Sequence, residues 1–296
     1  MLIQENSVLK TIVITGGTKG IGFSVALNLA RKNHQLIIIG RNKDCGELAV
    51  KKIINETANS NVIYLAADLT SFKSTIDVGN KILSTHASID ILINNAAAFF
   101  EDIEFNDAGI EKTFALSYFA PLILSSLFKD KLSRSNGKIL NVISGSAMYM
   151  KVCIDDIENP SKKNPLLRYA HAKLACVHLT RILAVSWASS GVIVNAVEPG
   201  NAATTIYDQI NILNQPPIVR IIIPLLRLIL RFKSVGAAAA SILFAVEDYS
   251  NKDYLGKLID SRCRIWPLPN IGVSCTVESL IDKSAMKLAE WKIYPF

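Results

Sequence analysis

Two groups of residues carry types and spacings that could do chemistry. The first is Thr15-Gly16-Gly17-Thr18-Lys19-Gly20-Ile21-Gly22, which follows a short apolar run and opens a helix-like pattern. Glycines permit a tight turn and a close approach of backbone to a ligand, and a helix N-terminus offers free N–H groups at the positive end of its dipole. A glycine cluster alone is an ordinary turn; a strand before it and a helix after it are the context that a dinucleotide-binding loop requires. Gly16, Thr18, Lys19, Gly20, Ile21 and Gly22 are therefore the expected pyrophosphate contacts. The second group is Tyr169 and Lys173. Of the chain's eight tyrosines, Tyr169 alone has a lysine four residues on. On a helix that spacing puts both side chains on one face. A phenol with an ordinary pKa of about 10 is a poor base at neutral pH. A neighbouring ammonium favours the phenolate and brings the group toward the range useful for proton transfer.

Charge separates the two common dinucleotides. A binder of NAD usually offers a carboxylate at the end of the second strand to grip the ribose hydroxyls. Here the second strand-like run ends Ile39-Gly40-Arg41-Asn42, and the first carboxylate beyond it is Asp44. Arg41 can make a paired, charge-assisted contact with a 2′-phosphate, and Lys19 adds a second cation. With Asn42 at the same turn, NADP(H) is expected over NAD(H).

These residues need a scaffold, and its rhythm is visible. Apolar runs rich in Ile and Val lie at 11–15, 35–40, 61–66, 89–94, 137–143, 191–197 and 256–260. Such runs suit strands buried on both faces of a parallel sheet. Helix-length stretches at 20–32, 43–58, 71–87, 105–133, 165–189 and 234–248 fall between them. The alternation predicts an α/β, Rossmann-like doubly wound sheet of about seven mostly parallel strands with helices on both faces. No repeat or low-complexity linker interrupts it, so one domain over 1–296 is expected. The rhythm breaks at 145–164, at 198–233 and in a C-terminal extension from 261. The first two breaks follow strands, where α/β folds place their ligand sites.

Composition narrows the class. Half of the 296 residues are hydrophobic, enough for a large core, and the formal charge is +7. The basic residues are dispersed without interleaved aromatics, which argues for a solvated surface rather than nucleic-acid binding. Five scattered cysteines without a CxxC pair argue for free thiols in a reducing compartment. His171 and His178, seven apart, share a helix face, but no metal site is expected. The N-terminus lacks a signal-peptide pattern, and no run reaches the roughly 18 apolar residues of a spanning helix. A cytoplasmic location is expected, with association at the cytosolic face of a membrane left open.

Further marks in chain order complete a resemblance. TGxxxGIG at 15–22, Asp68-Leu69, Asn94-Asn95-Ala96-Ala97, Ser144, Tyr169 with Lys173, and Pro199-Gly200 with Thr204 together resemble the short-chain dehydrogenase/reductase superfamily over residues 10 to about 260. Gly-Arg-Asn at 40–42, Lys-Ile-Leu-Asn-Val-Ile-Ser at 138–144 and Glu-Pro-Gly at 198–200 look like its retinol-dehydrogenase-like branch. The resemblance implies an oxidoreductase acting on a carbonyl or alcohol of a small, lipophilic molecule (an aldehyde or ketone, retinoid- or steroid-like). It implies that Asp68 and Leu69 meet the adenine, and that Asn95, Ala96, Ala97, Pro199, Gly200 and Thr204 line the cofactor. Ala97 stands where the family has glycine. Tyr169 would exchange a proton with the substrate oxygen, Lys173 would also hold the ribose hydroxyls, and Ser144 would bond the substrate oxygen, with Ser146 as the alternative serine. Ser117 stands where the family normally has an asparagine that holds a relay water, which predicts a slower relay. Two other readings stay open: a non-catalytic NADP(H)-binding sensor or scaffold, and an enone reductase. Homo-oligomers are common in the family.

Residues 218–232 are apolar apart from Arg220, Arg227 and Arg231, spaced to share a helix face, with a kink expected at Pro224. A lid over a greasy pocket (about 198–233) and a basic amphipathic contact with a membrane interface are both consistent with this pattern.

Overall fold

The computed structural model describes residues 9–149, 157–160, 164–200, 235–247, 255–269 and 277–296. One eight-stranded sheet organises them in the order β3-β2-β1-β4-β5-β6-β7-β8. The strands are β1 (Thr11–Thr15), β2 (Gln35–Gly40), β3 (Val62–Ala66), β4 (Ile91–Asn94), β5 (Lys138–Val142), β6 (Ile193–Val197), β7 (Lys257–Ile259) and β8 (Ile265–Pro267). The first seven pair in parallel, and β8 runs antiparallel to β7. The fold is thus the expected Rossmann-like one with an added strand. Ile-Trp-Pro at 265–267 is too short to show a period and ends in a proline, which suits an edge.

The continuous apolar runs become strands that are buried on both faces: β1, β4, β5 and β6 are buried along their whole length. One face packs against helices α1 (Gly20–Ala30), α2 (Lys43–Thr57) and α7 (Val235–Glu247) through a cluster that includes Ile14, Leu29, Ile38, Ile93 and Ile242. The other packs against α3 (Phe72–Thr85), α5 (Ala120–Arg134), α6 (Pro165–Ser186) and α8 (Val277–Ala289) through a larger cluster around Phe72, Phe119, Phe128, Leu179 and Leu288.

The helix expected over 105–133 starts later. Residues 105–111 form a turn closed by a Phe105–Glu111 bridge, with Asn106 accepting from the Ala108 and Ile110 amides and Gly109 at φ +70°. Glu111 then caps a short helix α4 (Lys112–Phe114) by accepting from the Thr113 and Phe114 amides. The chain passes from α4 through a π-helical turn, Ala115–Phe119, into α5. The sequence Asn106-Asp107-Ala108-Gly109 is turn chemistry, and it overrides the helical look of the flanking apolar residues.

The C-terminal extension packs on the larger cluster. Tyr118 Oη and Ser284 Oγ share a buried hydrogen bond of 2.8 Å, Trp187 Nε1 donates to the Pro295 carbonyl, and Glu158 pairs with Lys283 and Lys287.

Candidate active site

The sequence-predicted residues converge on the carboxyl edge of the sheet. The strand order reverses around β1, which is followed in space by β4 rather than by β2 on that side; in open α/β sheets this is where the ligand crevice forms. Gly16 adopts φ +67°, and a Cβ there would lie 2.9 Å from Ala96 Cα. At Gly22 a Cβ would fall 2.4 Å from the Gly16 carbonyl oxygen. Both glycines are therefore required for the loop to pass so close to the β4 end. Asn95 and Thr15 fix that approach. Asn95 Nδ2 donates to the Thr15 and Gly16 carbonyls, and the Asn95 and Ala96 amides donate to Thr15 Oγ1. No side chain caps the N-terminus of α1, which leaves it free for an anion. Thr18, Gly20 and Ile21 are half-buried, and Lys19 and Arg41 are exposed.

Asn42 turns out to have a structural job: its Oδ1 accepts from the Cys45 amide and caps α2. Asp68 ends β3's loop half-buried, its Oδ1 bonded to the amide and hydroxyl of Thr70, and Leu69 is buried beside it. Ala97 is half-buried just after β4, and Pro199 and Gly200 (φ +73°) follow β6. Thr204 and the 218–232 segment lie outside the described residues.

The candidate residues for proton transfer stand on α6 and at the end of β5. Asn164 caps α6, with Pro165 in its first turn. Lys173 is 2% exposed and its Nζ donates to the carbonyl of Val142, the last residue of β5, at 2.7 Å. Burial lowers its pKa from the ordinary lysine value. Cys176, one turn on, is pushed up to about 11 by burial, so at neutral pH it is a thiol and brings no counter-charge. The Lys173 ammonium lies 5.8 Å from the centre of the Tyr169 ring. Phe99 packs on the same ring at a 51° tilt, with centroids 4.5 Å apart. Ser144 is half-buried and shares a 3.0 Å hydrogen bond with the exposed Ser146 hydroxyl, so both candidate serines belong to one place. Ser117 sits in the middle of the π-helical turn, 1% exposed, with no hydrogen-bond partner for its Oγ among the described residues. A π turn widens a helix locally and often marks a functional position.

Several participants were not singled out from sequence. Phe99, Glu111 and Arg168 gather around Tyr169 and the π turn. A signal existed for Arg168, a cation directly before Tyr169 on the same helix; Phe99 carried none.

The chain's residues 10–213 match the model of the family described as short chain dehydrogenase. Among curated proteins it is 31% identical to human retinol dehydrogenase 13 over 262 residues, covering 88% of this chain and 78% of that one. It is 32% identical to human polyprenol dehydrogenase over 210 residues, 68% of this chain and 63% of that one. Among solved structures, a short-chain dehydrogenase from Sphingobium yanoikuyae in complex with NADPH superposes with a TM-score of 0.63 at 23% identity, over 95% of each chain. An NADPH dependent reductase involved in bacilysin biosynthesis gives 0.68 at 22% identity, over 86% of this chain and 96% of that one. No described helix is long and apolar enough to cross a membrane. With its glycine loop, its tyrosine and lysine on α6 and this family match, the chain belongs to the short chain dehydrogenase family of oxidoreductases, with the sequence pattern of the retinol-dehydrogenase-like branch.

Proposed function

We propose that this protein is an NADP(H)-dependent oxidoreductase that interconverts an alcohol and a carbonyl on a small lipophilic substrate. The observation that carries the reading is the buried Lys173 ammonium, held at the end of β5 and 5.8 Å from the Tyr169 ring. The nicotinamide, when bound, supplies or accepts the hydride. Tyr169 protonates the carbonyl oxygen in reduction and takes the alcohol proton in oxidation. Lys173 favours the phenolate and binds ribose hydroxyls. Ser144 donates to the substrate oxygen and stabilises charge developing there. Ser117, whose buried hydroxyl has no partner among the described residues, holds a water that passes protons from Lys173 toward solvent.

Cofactor binding follows from the carboxyl edge. The uncapped N-terminus of α1 and the close-packed Gly16 and Gly22 fit a pyrophosphate. The exposed cations Lys19 and Arg41 suit a 2′-phosphate. Asp68 and Leu69 meet the adenine, while Asn95, Ala96, Ala97, Pro199, Gly200 and Thr204 line the remaining length. The chain works as one catalytic domain, with 198–233 as a lid. The names of its relatives, retinol and polyprenol dehydrogenase, support an isoprenoid-like alcohol or aldehyde as substrate.

The test is a fluorescence titration of NADPH against NADH on the wild type and on Arg41→Ala, followed by NADPH consumption with lipophilic aldehydes, ketones and a matching enone. Preference for NADPH that is lost in Arg41→Ala, with an alcohol as product, supports the reading. Preference for NADH overturns the cofactor assignment alone. Saturation of the enone's double bond moves the chemistry to an enone reductase, and binding without turnover on any probe leaves a sensor or scaffold.

A further inference from the structure

Arg168 is 1% exposed although it carries a guanidinium, and its contacts reach two other segments of the site. Its Nη2 faces the carbonyls of Phe100, Glu101 and Asp102 at 2.5, 3.0 and 3.0 Å, sharing its hydrogens among three acceptors. Its Nε lies 3.5 Å from Glu111 Oε1, and Glu111 is itself fully buried. Glu111 caps the helix that leads into the π turn: its carboxylate accepts from the Thr113 amide, the Thr113 hydroxyl and the Phe114 amide. The Glu111 amide in turn donates to the Ile157 carbonyl, just ahead of α6.

Arg168 and Tyr169 are consecutive on α6, and both hold the loop that follows β4. Tyr169 does so through the Phe99 ring and Arg168 through the next three carbonyls. Burying an ion pair costs desolvation of both charges, and well-packed apolar residues often do as well for stability alone. Here the pair connects the loop after β4, the cap of the π-helical segment and the proton-transfer helix. We propose that Arg168 is a positioning residue: with Glu111 it locks Tyr169, the Phe99 loop and the Ser117 turn into one rigid unit. The proposal rests on the catalytic reading of Tyr169 for its effect on turnover. The lock itself can be read without turnover.

Arg168→Met, Arg168→Lys and Glu111→Gln test it by hydrogen exchange with mass spectrometry, NADPH titration and steady-state kinetics. In Arg168→Met, amide exchange over 97–103 and 112–119 is expected to rise about tenfold or more as these segments open locally, with 11–16 and 138–142 unchanged. Turnover should fall by up to about a hundredfold, the scale of a small misplacement of a reacting group, while the NADPH Kd stays within about twofold. Arg168→Lys, which retains a cation but not the fork, should fall between. Glu111→Gln should loosen 112–119 but not 97–103. The proposal is overturned if Arg168→Met lowers the melting temperature while exchange in both segments stays at wild-type level, or if NADPH binding is lost in step with turnover. Should Arg168→Met fail to fold, the segment-selective pattern of Glu111→Gln and Arg168→Lys decides, and unchanged exchange in both refutes the lock. A wild type without turnover on any probe refutes the catalytic reading and leaves the exchange result to stand by itself.

Discussion

The two ends of strand β5 each meet a buried lysine, and the two lysines are treated differently. At the amino end, Lys138 sends its ammonium to the carbonyls of Ala245 and Val246 in the last turn of α7, at 3.3 and 3.2 Å. At the carboxyl end, Lys173 bonds the carbonyl of Val142 and lies beside Tyr169. The contrast extends along both edges of the sheet. At the amino edge, Asp90 ties strands together: its side chain accepts from the Thr11 amide, its amide donates to the Thr11 carbonyl, and its carbonyl accepts from the Lys138 amide. Gly137 continues the row by accepting from the Ile193 amide. A lysine that completes a helix's last carbonyls is a cap. At the carboxyl edge, among the described residues, no side chain caps the α1 N-terminus and the buried Ser117 hydroxyl has no partner. Among the described residues, one edge closes its hydrogen bonds within the protein, whereas the other holds polar groups that these residues do not satisfy. The same residue type is a fastener at one end and, in the proposed reading, an instrument at the other.

This contrast can be broken or sharpened by substitution. The largest effect is expected for Tyr169→Phe, which should lower turnover by about 10²–10⁴-fold with NADPH affinity and melting temperature near wild type. A loss of stability equal to the loss of activity would erase the distinction between the edges. Lys138→Met should do the reverse, costing about 1–3 kcal/mol of unfolding free energy in urea melts with kcat and KM unchanged. Ser117→Asn should raise turnover several-fold if the relay is limited by the shorter hydroxyl; unchanged or slower turnover removes Ser117 from the proton path. The smallest effect belongs to Glu158, whose carboxyl is held below the ordinary range by the Lys283 and Lys287 ammoniums. A carboxylate lowered in the folded state stabilises above its unfolded pKa of about 4.3 and loses that contribution as pH falls through the folded value. Glu158→Gln should therefore melt slightly below wild type at pH 7, and the gap should close in the acid range below about pH 4.

The order of elements and most of the candidate site could be read from the sequence because their signals are local. Gly16 and Gly22 sit between a strand and a helix, Tyr169 and Lys173 share a helical spacing, and the buried strands are plain apolar runs. The later features depend on contacts between distant residues. The π turn at 115–119 has no periodic signature of its own and begins where Glu111 caps α4. The pairing of Arg168 with Glu111 spans more than fifty positions, and the packing of Phe99 on Tyr169 seventy. Asn42, expected at the cofactor, also caps α2, a role not read from the sequence. A polar side chain at a helix start serves the backbone first.

The pairing of β6 with β7 also bears on how such a protein can diversify. The Glu198 amide donates to the Ile259 carbonyl, and the Gly256 amide donates to the Val194 carbonyl. The chain between Glu198 and Gly256 is thus anchored at both ends by the sheet. Lengthening a tethered segment is thermodynamically cheap, about 0.6 kcal/mol for each doubling. Since α7 packs in the core within this stretch, it is the positions between Gly200 and Val235 that can be inserted into, shortened or exchanged while the sheet and the candidate residues Ser144, Tyr169 and Lys173 stay as they are. A new substrate preference could be grafted between those two anchors without redesigning the domain beneath them.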